Sequence, residues 1–169
     1  PQAEDGRAEL AAIYEVAESV KSSLSSKAIV VNKSTVPVGT SKVLSEIIGR
    51  EDVEVVSNPE FLREGSAIED FLKPDRIIIG ADAMEASDRV AELYSNLESP
   101  IIQVDCASAE TVKYATNSFL AMKVSFVNAL AAVCELVGAD IDSVAKGLGT
   151  DNRVGSKFLQ PGPGWGGSC

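Results

Sequence analysis

Apolar positions fall into two rhythms along this chain. Leu10, Ile13, Val16, Ala17, Val20 and Leu24 recur at helical spacing, and the SSLSS cluster closes that segment, which predicts an amphipathic surface helix. Ala28 to Asn32 is then a short β-branched run, and a helix follows from about Ser41 to Ile48, behind Thr40 and before Gly49. Further strands are predicted at Val53 to Val56, Arg76 to Gly80 and Ile101 to Val104, with a helix near Glu85 to Leu97. Short apolar strands separated mostly by helical segments imply a parallel sheet with covering helices. Past Asp105 to Ser108 the pattern turns wholly helical. Ala109 to Val137 contains neither Pro nor Gly, begins behind an N-cap predicted at Ser108 and stops at Gly138. At 1.5 Å per residue that run makes a rod of about 43 Å. A short helix opened by Asp140 and a glycine-rich loop complete the chain.

The fold class is therefore α/β: a partial doubly wound, Rossmann-like parallel sheet over residues 1–106, then an all-helical segment with one long helix over residues 107–169. The rod is apolar on more than one face, through Val112, Phe119, Leu120, Val124, Phe126, Val127, Leu130, Val133, Leu136 and Val137. Val124, Val127 and Leu130 exceed what one covering layer requires, which predicts a second copy packed along the rod. Lys113, Asn117, Lys123 and Asn128 interrupt the block, so no purely apolar run nears the length of a membrane span.

Composition narrows the chemistry. Across 169 residues the net charge is −10, which argues against nonspecific binding to nucleic acid or to an acidic membrane. There is no histidine, so acid/base work would fall to Glu, Lys, Asp or a thiolate. Cys106, Cys134 and Cys169 have no metal-ligand spacing and form no even disulfide set, so no metal site and a reducing cytoplasm are expected. The sequence opens on Pro1 and closes on Cys169 within a glycine-rich loop, and it reads as an internal piece of a longer protein.

Candidate chemistry gathers at the carboxyl ends of the predicted strands, where open α/β sheets bind ligands. The first strand runs into KSTVPVGT, whose Pro37 and Gly39 set a turn that could aim the Thr35 hydroxyl. The second runs into SNPEFLREG, with Glu60 and Glu64 four apart, and on the rod Lys113 and Asn117 share a face by the same spacing. Taken singly these are also ordinary turn, helix-start and surface patterns. A dinucleotide fold should carry G-x-G-x-x-G between its first strand and helix, and none precedes a helix here. GPGWGG at 162–167 follows no strand and reads as a tight loop presenting Ser168 and Cys169.

Together KSTVPVGT, NPEFLREGSAIEDFLKPDRIIIG, ETVKYATNSFLAMKVSFVNALAAVCELVGAD and DNRVGSKFLQPGPGWGGSC resemble the UDP-glucose/GDP-mannose dehydrogenase family in order and spacing, from about the first residue to the last. The resemblance implies NAD as cofactor, a nucleotide sugar as substrate and a double oxidation of its 6-hydroxyl through a thioester. By it Cys169 is the nucleophile, Lys113 stabilises the oxyanion with Asn117 beside it, and Glu60 manages protons while Thr35 orients water and the nicotinamide. It further implies Glu64 at the nicotinamide end of NAD, Phe61 and Leu62 on the substrate side through their backbone, and Phe158, Leu159 and Gly166 in the loop that wraps the nucleotide. Arg153 matches an arginine that reaches the neighbouring subunit's substrate, and the long helix matches the core of a homodimer. UDP-glucose is the expected substrate, GDP-mannose or an N-acetylated UDP-sugar the alternatives. The family's glycine fingerprint, a catalytic aspartate and the second nucleotide-sugar domain have no counterpart in these residues, so a non-catalytic dimerisation module is the competing expectation for the isolated chain.

Overall fold

The computed structural model describes residues 5–166. Helix α1 (Ala11–Val20) precedes β1 (Ile29–Asn32), α2 (Thr40–Ile48), β2 (Glu54–Ser57), α3 (Ala67–Leu72), β3 (Ile77–Gly80), α4 (Met84–Glu92) and β4 (Ile101–Val104). The chain then enters α5 (Cys106–Val137) and α6 (Ile141–Gly149). It divides into two compact units, one through Tyr114 and one from Ala115.

In the first unit four strands line up in chain order, β1-β2-β3-β4. Successive strand residues face opposite sides of a sheet, and β2 makes the consequence visible. Val55 joins Ala17, Leu44, Ile48 and Val53 under α1 and α2, whereas Val56 joins Ile77, Ile79, Ala86 and Val90 under α4. Each face thus has its own apolar cluster, and the buried run Ile77 to Gly80 fits a strand covered on both sides. The α/β class follows the sequence reading.

Strand direction departs from it in one place. β1 and β2 are parallel, as are β3 and β4, but β2 and β3 are antiparallel and share the single register pair Ser57↔Gly80. The sheet is mixed. Parallel neighbours need a crossover that returns the chain to the starting end of the sheet, and antiparallel neighbours do not. The segment between β2 and β3 contains only the short α3, none of whose side chains is buried. The hydrophobic pattern of the sequence predicts no helix there.

The long helix begins earlier than expected. Asp105, rather than Ser108, is its cap: the Asp105 carboxylate accepts from the Ser108 backbone N–H at 2.9 Å and from its hydroxyl at 2.6 Å. Those bonds hold the Asp105 carboxyl below its ordinary pKa. α6 repeats the device, with Asp140 accepting from Ser143 N–H at 2.9 Å and Oγ at 2.6 Å.

At β3's end the helix comes very close. A Cβ on Gly80 would stand 2.5 Å from Ala109 Cβ and 2.9 Å from Asp105 O, so only glycine fits. By length and composition α5 could cross a membrane. Its opening turns are nevertheless committed to protein, since Ala109, Glu110 and Lys113 are buried.

Candidate active site

β1 ends on Asn32, whose Oδ1 accepts from Ser34 N–H at 3.2 Å and starts the turn into the loop 33–40. Val36 anchors that loop in the core, and Thr35 is half-buried beside it. Lys33 donates to Asn58 Oδ1 at 3.0 Å and to Tyr94 Oη at 3.3 Å, and Tyr94 donates to the same Asn58 oxygen. Asn58 in turn donates to Ile78 O at 2.7 Å. The exits of β1 and β2 are thereby tied to each other and to β3.

Gly39, at φ 96°, is the N-cap of α2 and has no side chain with which to cap it. Glu110 of α5 supplies the missing acceptor. Its carboxylate, in a residue only 2% exposed, accepts from Gly39 N–H at 2.6 Å, Ser41 N–H at 2.8 Å and Ser41 Oγ at 2.7 Å. A carboxylate at a helix N-terminus meets both unsatisfied amides and the positive end of the helix dipole.

One turn further along α5, Lys113 donates to Glu60 O at 2.6 Å. Its ammonium also lies 5.0 Å from the centroid of the Phe61 ring. The first two turns of α5 therefore grip the loops after both β1 and β2. Glu60 itself is exposed, as are Leu62 and Glu64. Between Leu62 and Glu64, Arg63 is held by Asp70 through its backbone N–H at 2.8 Å and through its guanidinium, and Ser66 Oγ donates to the same carboxylate at 3.0 Å. The Arg63 guanidinium holds Asp70 well below the usual carboxylate range. The loop carrying Glu60 and Glu64 is thus closed by its own ion pair.

Cys106 is excluded as a nucleophile by its surroundings. Its thiol donates to Gly80 O at 3.2 Å, and burial pushes its pKa up. Cys134 is buried as well, and Cys169 lies outside the described residues. No group of acidic, cysteine or histidine side chains suited to a metal occurs among the described residues.

The remaining expected residues belong to the second unit. Asn117 is half-buried on α5. Arg153 is exposed and forked onto Asp151, with Nε to Oδ1 at 3.0 Å and Nη2 to Oδ2 at 2.6 Å. Phe158 is exposed at φ 65°, a left-handed conformation that costs a bulky residue energy, and Leu159 beside it is buried. Gly166 is exposed.

Two residues read in the sequence only as interruptions of an apolar block hold this loop. Lys123 donates to Val154 O at 3.0 Å and Gly155 O at 3.3 Å, and Asn128 accepts from Gly162 N–H at 2.9 Å. Glu110, Lys33 and Asn58 are further residues of the site that the sequence pattern does not single out, although all three stand inside the quoted motifs.

Comparison with known proteins matches these blocks throughout. The NAD binding domain of the UDP-glucose/GDP-mannose dehydrogenase family matches residues 1–98, and the central domain of that family matches residues 107–169. A UDP-glucose 6-dehydrogenase of Rhizobium meliloti is 49% identical over 98% of this chain and 40% of its own length. The structure of a UDP-glucose dehydrogenase from Pyrobaculum islandicum superposes with TM-score 0.91 at 39% identity, over the whole of this chain and 41% of that one. A ternary complex of GDP-mannose dehydrogenase from Pseudomonas aeruginosa gives TM-score 0.84 at 31% identity, over the whole of this chain and 42% of that one. The chain thus spans about two fifths of the length of the curated relatives it matches.

Proposed function

We propose, since this chain belongs to the UDP-glucose/GDP-mannose dehydrogenase family, that it is part of a cytoplasmic NAD-dependent nucleotide-sugar 6-dehydrogenase that oxidises UDP-glucose to UDP-glucuronate through a thioester on Cys169. Residues 1–106 belong, in this reading, to the NAD-binding domain and residues 107–169 to the central domain. The observation that carries it is the buried Lys113 ammonium set 2.6 Å from the Glu60 carbonyl, which joins the helix to the loop after β2 across 53 positions of sequence.

The residues present suit the nicotinamide end of NAD. Thr35 offers a hydroxyl and Glu64 a carboxylate on the loops after β1 and β2, the crevice where open α/β sheets take ligands. At the same edge Asn32 Nδ2 is buried without a partner among the described residues, a donor left over at the end of β1. When bound, NAD accepts a hydride in each of the two oxidations.

The chain's own groups divide the remaining work. Lys113 and Asn117 offer an ammonium and an amide to the sugar oxygen that becomes an oxyanion, where a fixed donor is most effective. The Cys169 thiolate adds to the aldehyde to form a thiohemiacetal, and loss of hydride from it leaves the thioester. Glu60, exposed at the loop, takes a proton from the water that Thr35 orients, and hydrolysis then releases the acid and the thiolate. Phe61 and Leu62 contact the sugar through their backbone. Phe158, Leu159 and Gly166 line the nucleotide, and Arg153 reaches the partner subunit's substrate, with Asp151 presenting its guanidinium.

Assembly through α5 rests on a corrected set of residues. Val127 is fully buried within this chain and Val124 and Leu130 are half-buried, so they are not the free face. Phe119, Met122, Phe126, Val133 and Val137 are more than half exposed and recur every three, four or seven residues, which is one helical stripe. Such a stripe fits a homodimer.

The experiment is Cys169→Ser in the complete enzyme. Turnover to the acid should collapse while the nucleotide sugar still binds, and Glu60→Gln should let a covalent thioester accumulate on Cys169, visible by intact-protein mass spectrometry. Near-normal acid production by Cys169→Ser would overturn the thioester reading.

A further inference from the structure

Lys113 is only 5% exposed, and among the described residues it makes no ion pair. A buried ammonium is costly unless other groups replace its lost hydration. Among the described residues the Glu60 carbonyl faces it at 2.6 Å and the Phe61 ring at 5.0 Å to the centroid. The same ring receives the Arg76 guanidinium at 4.2 Å, so two cations converge on one aromatic side chain. Both distances lie within the range over which a ring quadrupole attracts positive charge. Phe61 is half-buried and belongs to neither apolar cluster of the first unit, so core filling does not explain its aromatic ring.

An aromatic face and a carboxylate treat an ammonium differently. A carboxylate binds its N–H groups and cancels its charge. A ring attracts the charge yet competes weakly for those hydrogens, which leaves them to be aimed at an oxygen. We propose that the Phe61 ring is a positioning residue for Lys113: an uncharged seat that holds the ammonium at the Glu60 carbonyl without neutralising it. The proposal rests on the reading of Lys113 as the donor to the oxyanion. It assigns the Phe61 side chain a task separate from the substrate contact of its backbone.

A double-mutant cycle in the complete enzyme tests it, with Phe61→Leu, Phe61→Tyr, Lys113→Met and the Phe61→Leu/Lys113→Met pair. Phe61→Leu should lower kcat about 5- to 30-fold, the worth of one partly desolvated cation–π contact, with KM for the nucleotide sugar changed less than about twofold. Phe61→Tyr, which keeps the ring, should restore most of kcat. In the Lys113→Met background Phe61→Leu should cost nothing further, because the group it seats is gone. An equal loss in both backgrounds, or a Tyr variant as impaired as the Leu variant, overturns the proposal and leaves the role of Lys113 standing. Near-normal kcat in Lys113→Met would instead overturn the reading of Lys113. The seat is then judged by the melting temperatures of the wild type, Phe61→Leu, Lys113→Met and the pair, where non-additive losses support it and additive losses refute it.

Discussion

Replacing Glu110 by Gln should loosen the loop that carries Thr35 while leaving the sheet intact. The substitution preserves shape but exchanges one carboxylate oxygen for an amino group. In the structure one oxygen accepts from Ser41 N–H and Oγ and the other from Gly39 N–H. The amide oxygen can serve only one of these sides, so an amino group is turned toward an N–H on the other. Leaving a buried donor unpaired costs about 1–3 kcal/mol, and the surviving bonds lose their charge assistance, about 1 kcal/mol more. A local loss of about 2–4 kcal/mol corresponds to roughly 30- to 800-fold faster amide exchange at Gly39 and Ser41, if those amides exchange by local opening. Hydrogen-exchange mass spectrometry on the complete enzyme reads this directly, with α4 as the internal control. Turnover should fall alongside, since Thr35 is presented by the same loop. Unchanged exchange at residues 39–44 would refute the reasoning and make Glu110 an ordinary buried carboxylate.

Gly80→Ala should lower the melting temperature of the complete enzyme, because the new methyl meets Ala109 Cβ at 2.5 Å and the backbone of Asp105 at 2.9 Å. Overpacking of that kind costs about 1–3 kcal/mol, and an unchanged melting temperature would mean that α5 yields freely. Acid should weaken the clasp at Arg50, whose guanidinium donates to Leu24 O at 2.6 Å and to Asp52. Hydrogen bonding to Arg50 lowers the Asp52 pKa to about 2, so its contribution is complete above about pH 4 and is lost as pH falls toward 2. Asp52→Asn should flatten the fall of melting temperature with pH across that window, and an unaltered slope would count against the clasp. Phe126→Glu should convert a dimer into monomer by sedimentation at roughly 10 µM, and a wild-type monomer at that concentration would contradict assembly through α5.

Much of this fold was legible because its strands are β-branched runs bracketed by turn residues. Ile101 to Val104 is a strand with the boundaries expected, and Asp140 caps α6 as expected. Direction was not legible. Nothing in the composition of Glu54–Ser57 or Ile77–Gly80 records that the two strands oppose each other, since buried strands read alike either way. The α5 cap was displaced because Asp105 and Ser108 are both capping types, and only geometry says which accepts and which donates. α3 was missed because six residues with no buried side chain leave no periodic signal. In the candidate site, Glu60 and Lys113 stood out through motif and spacing. Glu110 looked like one more polar residue on a helix, since its burial comes from a turn about 70 positions away in sequence.

The seam between β2 and β3 has a consequence for how the sheet comes apart. One register pair joins the two parallel ribbons, whereas each ribbon is zipped by four. The seam is sutured chiefly by side chains: Asn58 reaching Ile78 O, and Val56 packed with Ile77 and Ile79 across the face under α4. Its cohesion is therefore mutable one side chain at a time, which a continuous backbone ladder is not. In kinetic language β1-β2 and β3-β4 are candidate foldons, and the seam is the plane along which partial unfolding should first propagate.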